Sequence, residues 1–354
     1  MAHDARLFLS AGIALLLGCA LAAIWLPGAF MAAWLGAWWF WAELALGAQI
    51  VLWMQRLTGG AWMAPIAAAL ERQRAFMPLL ALLALPLLAW PGALYPWARE
   101  GWIDTARETG FRHVWLSHGA LAAVMIVCVV LWTLAMRWRG PTTAARAAAG
   151  LLLFGYSVSL AAMQTLASLT PRWYSSAFGL VVLVAMCKAA MARAVAAGAH
   201  AADAGQRIDL GNLLLMYVMT WAYLSFTQFQ IIWAENLPAE ISWYVPRLQT
   251  GWVWLAVALV LLGFALPLLL LLFRRFKRDA RCLQALSLSL VGVAWLEVMW
   301  WIYPSLTPAQ THGIWLLPLA TAGMGCVSRA AAMQGAARGA RAAAGTAPKG
   351  ERHA

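Results

Sequence analysis

The sequence predicts an all-α integral membrane protein with about ten transmembrane helices. Three observations predict it. The 354 residues are 64% hydrophobic and only 11% charged, where soluble domains carry about 25% charged residues. The apolar residues fall into runs of about 20, each able to cross roughly 30 Å of hydrocarbon as a helix. The basic residues gather in alternate loops, as loops on one side of a membrane do.

In order, the runs cover about residues 7–26, 30–54, 76–95, 113–136, 147–168, 174–196, 210–233, 251–273, 282–303 and 310–328. The third is interrupted by Pro78, Pro86 and Pro91, so neighbouring helices must satisfy the carbonyls that proline frees. With the N-terminus inside, 20 of the 25 Lys and Arg residues fall on the inner side, Lys188 among them, and five on the outer: Arg99, Arg107, Arg112, Arg172 and Arg247. That asymmetry predicts ten spans with both termini cytoplasmic. Residues 1–329 form one polytopic membrane domain. Residues 330–354 are rich in Ala, Gly and Arg and read as a disordered basic cytoplasmic tail. Residues 96–112 are nearly charge-balanced and suit a short surface helix. The first span carries Leu16-Leu17-Gly18-Cys19 but stays apolar through Leu26, past the point where a cleaved signal turns polar.

Composition also excludes classes. The net charge of +12 sits in short clusters between spans rather than on a soluble domain, which argues against nucleic acid as a partner and for lipid. The five cysteines are scattered singly, without the spacing of zinc or iron–sulfur ligands. Of six histidines only His118 falls well inside a span, so paired haem ligands on facing helices are missing and His118 reads as a bundle histidine. Metal and cofactor ligation by this chain are not predicted.

The seventh span departs most from a lipid-facing helix. On a wheel of about 100° per residue, Asn212, Tyr217, Thr220, Tyr223, Thr227, Gln228 and Gln230 share an arc of about 160°, with Ser225 outside it. Such a stripe suits interhelical hydrogen bonds, a hydrated path or a ligand wall. Carboxylates at membrane depth are rarer still: Glu43 lies mid-way along span two and Glu297 in span nine. Each must be protonated, paired or solvated. A buried acid either serves as a structural hydrogen-bond group or takes up and releases protons. Tryptophan is abundant, at 23 residues, mostly near span ends as an aromatic belt requires. The cluster Trp34, Trp38, Trp39 and Trp41 is denser than a belt and calls for a packing partner.

The stretch GNLLLMYVMTWAYLSFTQFQIIWAENLPAEISWYVPRLQTGW, residues 211–252, resembles the signature of ActF, the ten-span NrfD-type membrane subunit of alternative complex III, a bacterial quinol:electron-acceptor oxidoreductase. The likeness extends to Leu57-Thr58-Gly59-Gly60-Ala61-Trp62, to Tyr95-Pro96-Trp97-Ala98, and to Ser168-Leu169 with Pro171 and Trp173-Tyr174-Ser175. The resemblance implies two four-helix bundles flanked by first and last helices, in a bacterial inner membrane. It implies a subunit without redox cofactors of its own. Partner membrane and periplasmic subunits of the respiratory complex would supply quinol oxidation, haem c and iron–sulfur clusters. A proton path through Glu43, Glu297, Tyr217, Thr220, Tyr223, Thr227, Gln228, Gln230 and His118 follows as a candidate. The outer surface, with Glu235, Asn236, Glu240, Trp243, Tyr244, Arg247, Trp173 and Tyr174, would dock redox partners. The chain departs from the family pattern at Gln55, Arg56, Gln164 and Thr170, where His or acidic residues are usual; Glu297 keeps an acid and Glu43 adds one. Alternative readings are a scaffold or assembly partner of another respiratory enzyme, and a secondary transporter. The sequence lacks the matched pair of interrupted helices that marks many transporters.

Overall fold

The computed structural model describes residues 2–102, 110–137 and 143–345, with side chains from 3 to 334. The described residues form helices and turns without a strand. Among the described residues, ten helices are long and apolar enough to cross a membrane. They are α1 (His3–Ala22), α2 (Pro27–Thr58), α3 (Ala67–Ala89), α4 (His118–Arg137), α5 (Ala144–Leu169), α6 (Phe178–Gly198), α7 (Ala204–Glu235), α8 (Val253–Leu272), α9 (Ala280–Ser305) and α10 (Leu316–Gln334). At 32 residues each, α2 and α7 run well beyond the 20 that a bilayer requires.

Helices α2, α3, α4 and α5 pack into one four-helix bundle, and α6, α7, α8 and α9 into a second. The first and last spans pair with each other and lie against α2. The bundles meet chiefly where α2 crosses α6. That crossing is close because Gly47 has no side chain: a Cβ there would stand 2.1 Å from the Met186 carbonyl oxygen. Without water to drive association, backbone proximity of this kind supplies the dispersion that holds membrane helices together. α2 is the central helix, with nearly every residue from Ala29 to Val51 buried.

The tryptophan cluster on α2 answers the proline problem in α3. α3 breaks into Ala67–Arg74, Met77–Leu83 and Leu85–Ala89, the last two with a proline in the first turn. At the second break Leu87 N–H bonds Ala84 O rather than Leu83 O, and the Trp34 indole N–H donates to Leu83 O at 2.8 Å. Trp38 donates to Leu80 O at 2.9 Å. Trp39 reaches Thr165 Oγ1 of α5 at 3.0 Å, and Trp41 reaches Thr321 O of α10 at 2.9 Å. Four indoles thus fasten one helix to three others, and that of Trp34 satisfies a carbonyl that lipid could not.

Contacts between loops define two ends of the molecule. At one end Gln206 bonds Ala61 O, Arg207 bonds Arg278 O, and His200 meets Gln284, gathering the basic connections after α2, α6 and α8. At the other, Gln310 bonds Ala93 O and Leu94 O, and Arg247 and Thr170 both reach Ser305. Cys19 Sγ lies 4.0 Å from Leu316 O, so the free ends of α1 and α10 point toward the basic end. Two expectations change. The last helix continues through Gly345, so residues 330–345 are helical where a disordered tail was expected; 346–354 lie outside the described residues. The surface helix expected over 96–112 falls partly on residues 103–109, also outside them. There Pro96–Ala98 forms a single 3₁₀ turn and Phe111–Trp115 a short helix.

Candidate functional site

Lys188, midway along α6, and Glu297 of α9 are the centre of the second bundle. Lys188 is 0% and Glu297 2% exposed, and Nζ lies 3.0 Å from Oε2. Trp221 of α7 completes the arrangement: its indole N–H donates to Glu297 Oε1, and Lys188 Nζ stands 3.5 Å from the centre of its ring. The ammonium therefore has a carboxylate and an aromatic face, and both carboxylate oxygens have donors. This pairing is what an ion pair removed from water requires. Glu43 of α2 is 0% exposed and lies within electrostatic range of both Lys188 and Glu297. Neither of its oxygens has a hydrogen-bond partner among the described residues. The Gly47 crossing, one turn along α2, brings this carboxyl against α6.

Sequence reasoning found the two acids and missed Lys188 and Trp221. Lys188, expected among the inner basic residues, is instead buried at the middle of a span, and Arg247, expected on the outer surface, is buried in the loop between α7 and α8. Removing both leaves nineteen basic residues against four. The signal was available: Lys188 lies in VVLVAMCKAAMARAVAA, eleven residues into an apolar run, and a cation at that depth requires a partner as an acid does.

The polar stripe of α7 does not turn inward as a unit. The buried residues Leu210, Leu214, Tyr217, Val218, Trp221, Gln228 and Ile232 centre about 110° from the middle of the polar arc. Only Tyr217 and Gln228 belong to both. Thr227 is half-buried, whereas Thr220, Tyr223 and Gln230 face outward. Thr220 satisfies itself by donating to Met216 O at 2.8 Å, as serine and threonine can within a helix. Ser225, which the wheel left out of the stripe, is half-buried and lines the cavity described below. Tyr217 bonds Met54 Sδ of α2 at 3.4 Å. His118 is no bundle histidine: it is exposed at the first residue of α4, with its ring centre 6.1 Å from that of Trp97.

Beside the ion pair, a cavity of about 590 Å³ lies between α6, α7, α8 and α9. Its walls are aromatic and apolar, including Phe178, Phe229, Trp243, Phe264, Trp300 and Trp301, while Glu297, Trp221, Gln228, Ser225 and Tyr244 supply its few polar groups. α8 shapes one wall through a π-helical turn, Leu261–Ala265, just before Pro267. Such turns widen a helix and often occur at functional sites. Gly263 in that turn brings α8 close to α9: a Cβ there would stand 3.0 Å from Val293 Cγ1.

The loop after α7 divides into buried and exposed parts. Arg247 is 0% exposed. Its Nε donates to Trp300 O at 3.1 Å, Nη1 to Trp243 O at 2.7 Å, and Nη2 to Trp301 O at 2.9 Å and Ser305 Oγ at 3.0 Å. It also lies 3.3 Å from the centre of the Trp243 ring. A guanidinium over the last carbonyls of α9 satisfies groups the helix leaves unpaired and opposes the negative end of its dipole. Trp243 stacks on Trp173 with ring centres 4.2 Å apart, and both are buried. Trp173, Trp243 and Arg247 are therefore buried clamps, not docking residues as expected, and Trp243 among them lines the cavity. Glu235, Asn236 and Tyr174 are exposed, and Glu240 and Tyr244 half-buried. Asn236 ends α7 in the left-handed conformation, φ 51°, which asparagine tolerates better than most residues. Partial desolvation, then the neighbouring Glu235 carboxylate, raise Glu240 above the usual carboxylate range.

Of the family departures, Gln164 is buried and donates to Trp115 O at 2.9 Å. Thr170 donates to Ser305 Oγ at 3.1 Å, which ties it to Arg247. Among the described residues, no group of His, Cys, Asp and Glu could hold a metal ion. Fold and site together define a polytopic helical membrane protein with a paired charge centre beside an aromatic cavity. No family model matches the chain, and no characterised protein matches it significantly.

Proposed function

We propose that the chain is a membrane subunit of a quinol-oxidising respiratory complex, in which Glu43, Lys188 and Glu297 take up and pass protons. The observation that carries this reading is the buried Lys188–Glu297 pair with a third buried carboxyl, that of Glu43, unpartnered among the described residues and within its electrostatic range. The pair is neutral overall, so a charged Glu43 would be a buried charge without a partner, which is costly. Glu43 therefore holds a proton in this arrangement. Moving a proton from Lys188 to Glu297, or from Glu43 to Glu297, changes the charge pattern without moving a helix, which suits a relay. Toward the basic end Gln49 of α2 accepts from Arg74; toward the other end Glu297 shares the cavity with Gln228 and Tyr244. The respiratory context rests on the resemblance of residues 211–252 to the ActF signature. In this reading the basic end faces the cytoplasm of a bacterial inner membrane. Glu235, Asn236, Tyr174, Glu240 and Tyr244 then form the face toward periplasmic redox subunits, which hold haem c and iron–sulfur clusters.

The test is to purify the tagged full chain from its own membranes in mild detergent. Haem- and iron–sulfur-bearing subunits should accompany it, and quinol-driven acidification by the reconstituted assembly should fall in Glu297→Gln while electron transfer continues. A colourless chain alone, or unchanged proton release in Glu297→Gln, overturns the reading. Recovery with a different respiratory enzyme would favour a scaffold instead.

A further inference from the structure

The cavity beside the ion pair is contiguous with the proposed relay but is not needed to hold it together. Its shape and chemistry are those of a ligand site: a few hundred Å³, apolar walls and a few convergent polar groups. Two features narrow the ligand. First, Gln228 is 5% exposed and lines the cavity. Its Nε2 donates to Tyr244 Oη at 3.2 Å, while its Oε1 has no partner among the described residues. A buried acceptor left unpaired costs free energy that a donor in the cavity would recover. Second, the walls are dominated by flat rings, which favour planar partners by offset stacking and edge-to-face contact. The mouth is flanked by residues that face outward from α7 and α8, including Tyr223 at 66% and Phe226 at 62% exposure. On a spanning helix these faces meet the apolar phase, so the ligand arrives from the membrane.

We propose that this cavity binds a membrane-soluble aromatic molecule carrying a hydroxyl group, a hydroquinone-type ring with an apolar tail. Its ring lies among Phe178, Trp243 and Trp301 and its hydroxyl donates to Gln228 Oε1. A second hydroxyl on the same ring faces Glu297, the one carboxylate among the lining residues. The choice of hydroquinone among hydroxylated arenes rests on the respiratory reading; the need for a flat ring and a donor does not.

The test is calorimetric titration of the purified full chain in detergent, which needs no partner subunit. Three probes separate the features: a decyl-substituted hydroquinone, the dimethyl ether of that hydroquinone, and dodecanol as an aliphatic donor. The hydroquinone should bind about tenfold or more tightly than the ether, since one buried hydrogen bond is worth roughly a factor of ten. Dodecanol should bind more weakly than the hydroquinone. Gln228→Leu should erase the preference for hydroquinone over ether. Ala256→Trp, which fills the cavity from α8, should abolish binding of all three, with monodispersity and helical content checked for both variants. Gln228→Glu supplies a second acceptor variant if Gln228→Leu does not fold, and it should keep the preference. Equal binding of hydroquinone and ether, equal binding of dodecanol, or binding that survives Ala256→Trp overturns the proposal. A chain that binds hydroquinone yet purifies without redox partners keeps this site and loses the respiratory reading; the reverse result separates them the other way.

Discussion

Lys188 Nζ and Glu297 Oε2 lie 3.0 Å apart in the middle of the second bundle, with Trp221 against both. Two charges from helices far apart in sequence are joined where neither could stand alone. The pairing fixes α6, α7 and α9 relative to one another and sets the electrostatics of everything near it.

Breaking that pair should cost more than deleting it. Lys188→Met or Glu297→Met leaves one buried charge unpaired and should destabilise the fold by about 3–5 kcal/mol. The double substitution should recover most of the loss. Thermal unfolding in detergent, read as a double-mutant cycle, measures this; additive losses would mean the two side chains do not interact.

Gly47→Ala should disrupt the joint between bundles. The new Cβ would stand 2.1 Å from the Met186 carbonyl oxygen, and backbone cannot yield as a flexible side chain does. A loss of about 1–3 kcal/mol is expected, against little change for Gly18→Ala, where the Cβ would meet nothing within 4 Å. Equal melting temperatures for the two variants would contradict the crossing described here.

Arg247→Lys should fail as a replacement despite keeping the charge. Lysine has no planar fork to reach four acceptors and cover the Trp243 ring together. The loop 236–250 should become accessible to limited proteolysis in both Arg247→Lys and Arg247→Met. Protection like that of the unchanged protein in Arg247→Lys would show that charge alone holds the loop.

Asp279 gives a pH-dependent signature at the basic end. Its Oδ1 accepts from the backbone N–H of Cys282 at 2.9 Å and of Arg281 at 2.8 Å, capping α9. The Cys282 bond first, then that from Arg281, hold its carboxyl below the usual carboxylate range. A pKa lowered by folding contributes stability above the unfolded value, about 3.9, and loses it as pH falls through the folded value. The melting temperature should exceed that of Asp279→Ala at neutral pH, with the gap closing below about pH 4. Asp279→Asn should keep its cap across that range, because asparagine caps without titrating. A gap independent of pH would rule the carboxylate out.

Ten spans were legible because length and hydropathy alone fix them, and most boundaries lie within a few residues of expectation. The third helix starts earlier, at Ala67, because a short polar helical piece, Ala67–Arg74, precedes its prolines. Glu43 and Glu297 were legible because an acid inside an apolar run has few explanations. Lys188 was not, since it counts with the inner basic residues although it lies within the apolar run 174–196. The stripe on α7 misled for a physical reason: threonine and tyrosine at a helix surface can satisfy themselves locally or face outward, so polarity alone does not mark the buried side. Arg247 was hidden by the opposite error, because a loop arginine reads as surface until the carbonyls at the end of α9 are seen around it.

The most direct test of the central claim, that Glu43 and Glu297 exchange protons beside Lys188, is infrared difference spectroscopy of the purified full chain through a pH titration, read at the C=O stretch of protonated carboxyl groups. The account predicts a protonated-carboxyl band that disappears in Glu43→Gln and shifts in Glu297→Gln and Lys188→Met. A band unchanged by all three substitutions, or none in the unsubstituted protein, would contradict it.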